Sequence, residues 1–473
     1  MDTLQTLINR IVQRVSDGLR PLGFDVRSYL TGLDPLAEPI DSPFIFDLSS
    51  GHPPPVAFRA SALAGSYCLG QVAVESAVVL GSDIRGDELK RAGDPFGVDG
   101  RRMHLAKDEI IHIKNSLLMK VLVHHHARDI EDMHRYRVHH TVALPFANIH
   151  GSPVAETFLG TGSTVDLTSA AGCVIGEHAY VQAGRLRHRH IPPGRIWIRS
   201  GKHYELNYQF DPDRLARYVR HEPGKPPSGE MIRIAGDLRR FLDKGFKTAS
   251  IHRNTTPTPG TYISPYSAIR GDCRIDGNVL VLQRAYLEDA QVGQGANVQE
   301  NAGLIRSVLD GLNVTAHGAK IIDARIGTRG FVGFNAFLRG VSGLGLQVGR
   351  DSIVLPHTII DLEAPLDIPP GSLVWGLIRD GRDFENHHVP LADLSGMNGR
   401  FDLGALVFRG RGEDFVQGFS KRIDHILEAN GAFYDGRHRQ GHAQRFQDLL
   451  TNVIYAYPRG DRRGLHPTLD FRN

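Results

Sequence analysis

Residues 263–292 read ISPYSAIRGDCRIDGNVLVLQRAYLEDAQV, and five aliphatics in this stretch stand six residues apart: Ile263, Ile269, Ile275, Val281 and Leu287. Val292, Val298 and Leu304 resume the step one residue early. Ile326, Val332, Leu338 and Leu344 form a third run, and Val348, Val354 and Ile360 a fourth. An amphipathic helix repeats every 3.6 residues and a half-buried strand every two, so neither keeps a step of six. A triangular parallel β-coil does, because each side of the triangle contributes one inward aliphatic per hexad.

Around this stretch the chain runs to 473 residues, too many for one ordinary core, so two or three domains are expected. Lys and Arg number 55 against 52 Asp and Glu, a net charge of +3 that does not call for a nucleic-acid partner. Cys68, Cys173 and Cys273 are far apart and lie in apolar stretches, which suits buried thiols in a reducing compartment rather than a disulfide framework. Leu4, Leu7, Ile8, Ile11, Val12 and Val15 have helical spacing, interrupted by Arg10 and Arg14, which reads as an amphipathic helix and not a signal peptide. No apolar run reaches membrane-spanning length, so no membrane contact and a cytoplasmic location are expected.

A weaker six-residue series appears early, in Val72, Val78 and Ile84, then Leu159 with Val165 and Ile175 with Val181. Two landmarks recur in the same order. Ile84-Arg85-Gly86-Asp87 returns as Ile269-Arg270-Gly271-Asp272, and Ile191-Pro192-Pro193-Gly194 as Ile368-Pro369-Pro370-Gly371. Proline has no amide to give a ladder, so Pro-Pro-Gly suits the end of a coil stack. The expected organisation is an N-terminal helix and lead-in over 1–50, then a first β-helical segment over 51–205. A helical insertion at about 100–140 is read from Ile110, Ile113, Leu117, Leu118, Val121 and Leu122. A helical linker over 206–258, a second β-helical segment over 259–378 and a helical tail over 379–473 follow. In that tail, one helix face is expected from Phe415, Phe419, Ile423, Ile426 and Leu427, and another from Phe446, Leu449, Leu450, Val453 and Ile454.

From Ser267 to about Ile360 the chain resembles the γ-class carbonic anhydrase branch of the hexapeptide-repeat superfamily. Arg270-Gly271-Asp272, Asn297-Val298-Gln299-Glu300 and Asn313-Val314-Thr315-Ala316-His317 carry the resemblance. It implies a mainly β fold, a left-handed parallel β-helix in two tandem segments, that assembles as a homotrimer. Arg270, Asp272, Gln299 and Glu300 then match residues that support the subunit interface and active site. The resemblance implies zinc on three histidines, of which His317 matches one. Ile322 and Ile305 stand at the other two ligand positions, and isoleucine has no electron pair to donate.

Hexapeptide acyltransferases, the other large branch, resemble the chain in tandem hexads, Pro-rich coil endings and added helices. Their chemistry needs a histidine that takes a proton from an attacking hydroxyl or amine. The leading expectation is therefore transfer of an acyl group from an acyl-CoA to a small polar acceptor. His317 is the first choice of base, Arg270, Gln299 and Glu300 shape its cleft, and His178 and His357 are second choices. One alternative is a metal-dependent lyase or hydrolase in which His317 is joined by ligands from a histidine-rich tract at 124–150 or from a neighbouring subunit. Within that tract His125 and Asp129 have the i, i+4 spacing of a helical half-site. A second alternative is a non-catalytic trimeric scaffold. Arg85 with Asp87, like Arg270 with Asp272, reads as a corner pair joined to itself or across a subunit junction. Arg185, His188 and His190 could grip an anion or form a solvated coil edge. Gly160-Thr161-Gly162-Ser163-Thr164 lacks the Lys of a phosphate loop and reads as a coil corner.

Overall fold

A computed structural model describes residues 3–33, 35–36, 39–49, 56–98, 101–125, 135–245 and 258–471. The chain divides into two compact units, one of Met1–Arg195, Leu215–Glu230 and Leu449–Asn473, the other of Ile196–Arg214 and Met231–Asp448. Each is built on a left-handed parallel β-helix. The first unit ends its main run at Arg195 rather than at 205, and takes in the last residues of the chain.

In the second unit three parallel sheets form the sides of the coil. Leu280 pairs with Asn297, Asn297 with Val314 and Val314 with Phe331, so each turn advances the chain by a step of 17. Three hexads would take 18. One side is therefore a pentad, which is why the aliphatic step slips by one at Val292. The corners show the same rhythm, with positive φ at Asn278, Arg284, Asp289, Gly295, Asn301, Arg306 and Leu312. Inward side chains stack into three buried ladders: Val281, Val298, Val332 and Val354; Leu287, Leu304, Ile321 and Leu338; Val292, Leu309, Ile326 and Val348. Leu344 is not among them. It lies in a loop at positive φ, and Leu346 fills the inward position.

The first unit has shorter turns. Val142 pairs with Phe158, Phe158 with Val174 and Val174 with His190, a step of 16. Two sides are then pentads, so in these turns the step of six survives only from Leu159 to Val165 and from Ile175 to Val181. Glycine is required where coils stack closely at the Pro-Pro-Gly corners. A Cβ on Gly176 would lie 2.5 Å from the Pro193 nitrogen, and one on Gly349 in the second unit 2.4 Å from that of Pro370. The two landmarks are thus the same packing device used twice.

Among its described residues the insertion is not helical. An antiparallel hairpin of Pro95–Val98 and Arg101–His104 precedes strands Ile110–Lys114, Leu117–Met119 and Leu122–His124, which together make a full turn of the coil. The helical spacing arose because both faces of this turn are covered. Leu117 belongs to a buried cluster with Leu7, Ile11 and Val15 of the helix Leu4–Leu19, so an outward residue is apolar too. Leu118, its neighbour on the opposite face, is fully buried as well.

Helices cover faces of the second unit in the same manner. Leu242 of helix Glu230–Gly245 packs with Ala268 and Tyr286, and Phe419 of helix Gly412–Asn430 packs on Phe331. The tail departs from its expected form at strands His388–Pro390, Asn398–Leu403 and Leu406–Arg411, and again beyond Asp448. Leu450–Ile454 is a strand, antiparallel to Phe44–Leu48 in the first unit, with Leu450 and Val453 exposed. Its backbone completes the edge of the first turn, and that hydrogen bonding outweighs the weak helical pattern. Among the described residues no helix is long and apolar enough to cross a membrane. All three cysteines are free thiols; Cys68 and Cys173 are buried and Cys273 partly so.

Candidate functional site

Successive turns stack Gln283, Glu300, His317 and Phe334 above one another in the second unit. Glu300 and His317 are 0% and 2% exposed, and His317 Nδ1 lies 2.7 Å from Glu300 Oε2. Gln283 Nε2 donates to Glu300 Oε1 at 3.2 Å, and the Phe334 ring lies 5.3 Å from the imidazole. Backbone bonds hold the stack, since the Gly318 amide donates to Glu300 O and the Asn335 amide to His317 O. Gln299 is buried beside Glu300 and its amide donates to Thr315 O. The arrangement sets an imidazole nitrogen against a fixed carboxylate, a pairing of the kind that general bases use. Gln283 and Phe334 escaped the sequence reading, although each stands one turn along the ladder from a residue it selected.

A second group it missed is Lys320. Its ammonium is buried under helix Glu230–Gly245 and donates to Asn301 O at 2.5 Å and Gly318 O at 2.8 Å. Gly303 makes room for it, because a Cβ there would sit 2.9 Å from Lys320 Cδ. Burial pulls the lysine down to about 7. An unfolded lysine titrates near the ordinary 10.5, so between the two values the unfolded chain binds more protons than the folded one. Stability of the second unit should therefore rise with pH from about 7 towards 10, by up to ~1.4 kcal/mol per unit. Denaturant melts at pH 7, 8 and 9 should show this rise in the wild type and lose it in Lys320→Met. An unchanged slope in that variant would place the titration elsewhere.

The two Arg-Gly-Asp copies differ. Arg85 and Asp87 are buried in the first unit and joined twice, Nε to Oδ1 at 2.8 Å and Nη2 to Oδ2. Arg270 is exposed, stacks over Phe241 at 4.8 Å and donates to the Tyr286 hydroxyl, while Asp272 is exposed and its amide donates to Asp289. Pairing of the arginine with its own aspartate thus holds in the first copy, and the second arginine instead clamps the covering helix.

The remaining candidates separate. His178 and His357 are corner residues at positive φ with no exposed surface. Arg185, His188 and His190 lie on an exposed edge, and Gly162 turns a corner at positive φ. His125 is buried just past the strand Leu122–His124, its ring centroid 4.5 Å from that of Tyr136, and not on a helix. Asp129 lies outside the described residues, as do His126 and His134. The zinc site implied by the γ-class resemblance does not fit, because Ile322 is buried and Ile305 half-buried at two of its ligand positions.

No functionally curated protein matches the chain. A family model described as "Hexapeptide repeat including loop" matches residues 101–223. The crystal structure at 2.28 Å of a proposed acetyltransferase from Desulfovibrio desulfuricans G20 is 40% identical, with a TM-score of 0.92 over 100% of both chains. With parallel coils of pentads and hexads, the loop-bearing repeat match and likeness over its full length, this chain belongs to the hexapeptide-repeat family.

Proposed function

We propose that the protein is an acyltransferase that moves an acyl group from an acyl-CoA to the hydroxyl or amine of a small polar acceptor. The buried His317–Glu300 pair carries this reading, and the 40% identity to a proposed acetyltransferase supports it. In the reaction His317 accepts the acceptor's proton as its oxygen or nitrogen attacks the thioester carbonyl. The C–S bond then breaks and CoA leaves as the thiol, taking back that proton. Glu300, held by Gln283, orients the imidazole and stabilises the imidazolium that forms. Gln299 and Glu300 shape the site and CoA is the co-substrate. Self-association as a trimer is part of the proposal, with exposed Arg270 and Asp272 available to a neighbouring copy.

Acetyl-CoA binding separates this reading from a non-catalytic scaffold. A ligand at a hundred times its Kd stabilises by about 2.7 kcal/mol, so saturating acetyl-CoA should raise the melting temperature by several degrees. No shift with any CoA ester would sink the acyltransferase reading and leave the scaffold.

A further inference from the structure

The first unit carries its own ladder of polar side chains. Arg85 pairs in register with His124, His124 with His150 and His150 with Asp166 on one face of the coil. We propose that His124 and His150 hold a divalent transition-metal ion of the zinc class. This does not rest on the acyltransferase reading.

Four observations carry it. The two imidazoles are 5% and 6% exposed, and their donor nitrogens lie within 4.8 Å of each other. The rings meet at 74°, with centroids 5.0 Å apart. Glu88 Oε1 lies 3.5 Å from His124 Nε2, which puts an anionic charge beside the imidazole. Finally, His150 Nδ1 meets Asp166 Oδ1 at 2.7 Å, and the Tyr180 hydroxyl donates to Asp166 Oδ2 at 2.5 Å. A metal on His150 would therefore take Nε2, with a fully buried carboxylate fixing the tautomer and raising the basicity of the ring. Ligating histidines usually have such a partner behind them.

Imidazole nitrogen with one nearby carboxylate suits Zn, Co or Ni rather than Mg or Ca. Among the described residues, the charges beside the pair include Glu88, Asp166 and Arg85, and the last is paired with Asp87. A divalent ion is thus welcome on a face where the two imidazoles alone would be only packed aromatic rings.

The test uses the full chain, stripped of metal with a chelator and dialysed against Zn²⁺ and, separately, Co²⁺. One ion per chain should be retained, and Co²⁺ should give visible absorption bands of low-coordinate nitrogen ligation. His124→Ala and His150→Ala should each abolish retention, with His150→Asn used if alanine prevents folding. Asp166→Asn should weaken binding about 10- to 100-fold. The chain has 24 histidines, so surface binding is a real alternative. Retention unchanged in both His124 and His150 variants overturns the proposal, and so does a wild-type protein that retains no ion. Either result leaves the acetyl-CoA experiment untouched.

Discussion

Replacing His317 with asparagine is expected to lower acyl transfer by about 10²- to 10⁴-fold, the usual worth of a general base. Asparagine keeps a polar group facing Glu300, so the fold should survive while proton transfer does not. The acidic limb of the kcat/KM profile, which reports protonation of the base in the free enzyme, should vanish with the imidazole. Glu300→Gln should cost less and move that limb, because the carboxylate acts through the histidine and never touches the acceptor. CoA-ester binding measured by thermal shift should remain in both variants. A His317→Asn protein with wild-type turnover would remove this histidine from the chemistry.

The largest stability effect should come from Asp87→Ala. The side chains of Arg85 and Asp87 are 2% and 0% exposed, so removing the carboxylate takes the bidentate counter-charge from a buried guanidinium. Breaking a buried pair in this way costs about 3–5 kcal/mol. For a unit of this size, that should lower its melting temperature by roughly 10 °C. The double variant Arg85→Met/Asp87→Leu removes both charges and should recover most of the loss, since a well-packed apolar pair is often no worse than the ion pair. Hydrogen exchange of the strand 83–86 would localise the change. A single variant as stable as wild type would show that water reaches the arginine.

The second β-helix was legible because two of its three sides keep the full hexad and its inward positions are aliphatic. The first was faint for a physical reason: pentads on two sides break the step, and the outward face under helix Leu4–Leu19 is apolar too. Leu117 is inseparable by pattern from Leu118, although one faces the helix and the other the opposite side. The strand Leu450–Ile454 was unreadable because its partner, Phe44–Leu48, lies near the opposite end of the chain. At the candidate site, His317 and Glu300 were found through motif resemblance. Gln283 and Phe334 were recoverable only with the period of the coil in hand, since nothing local distinguishes them. Lys320 reads from sequence as a surface lysine, and only the covering helix and the bare Gly303 make it a buried one.

The unequal turns, a step of 17 in one half and of 16 in the other, constrain how such a chain can change. A rung moved from one half to the other would arrive one residue too long or too short. Every inward side chain beyond the splice would then shift by one place along its side, turning core to solvent. Deletions and insertions survive only where the extra length leaves at a corner, as it does where Phe331 pairs with Ile353 across a step of 22. The halves share a plan but not interchangeable parts, so each must drift by substitution within rungs or by growth of its corner loops.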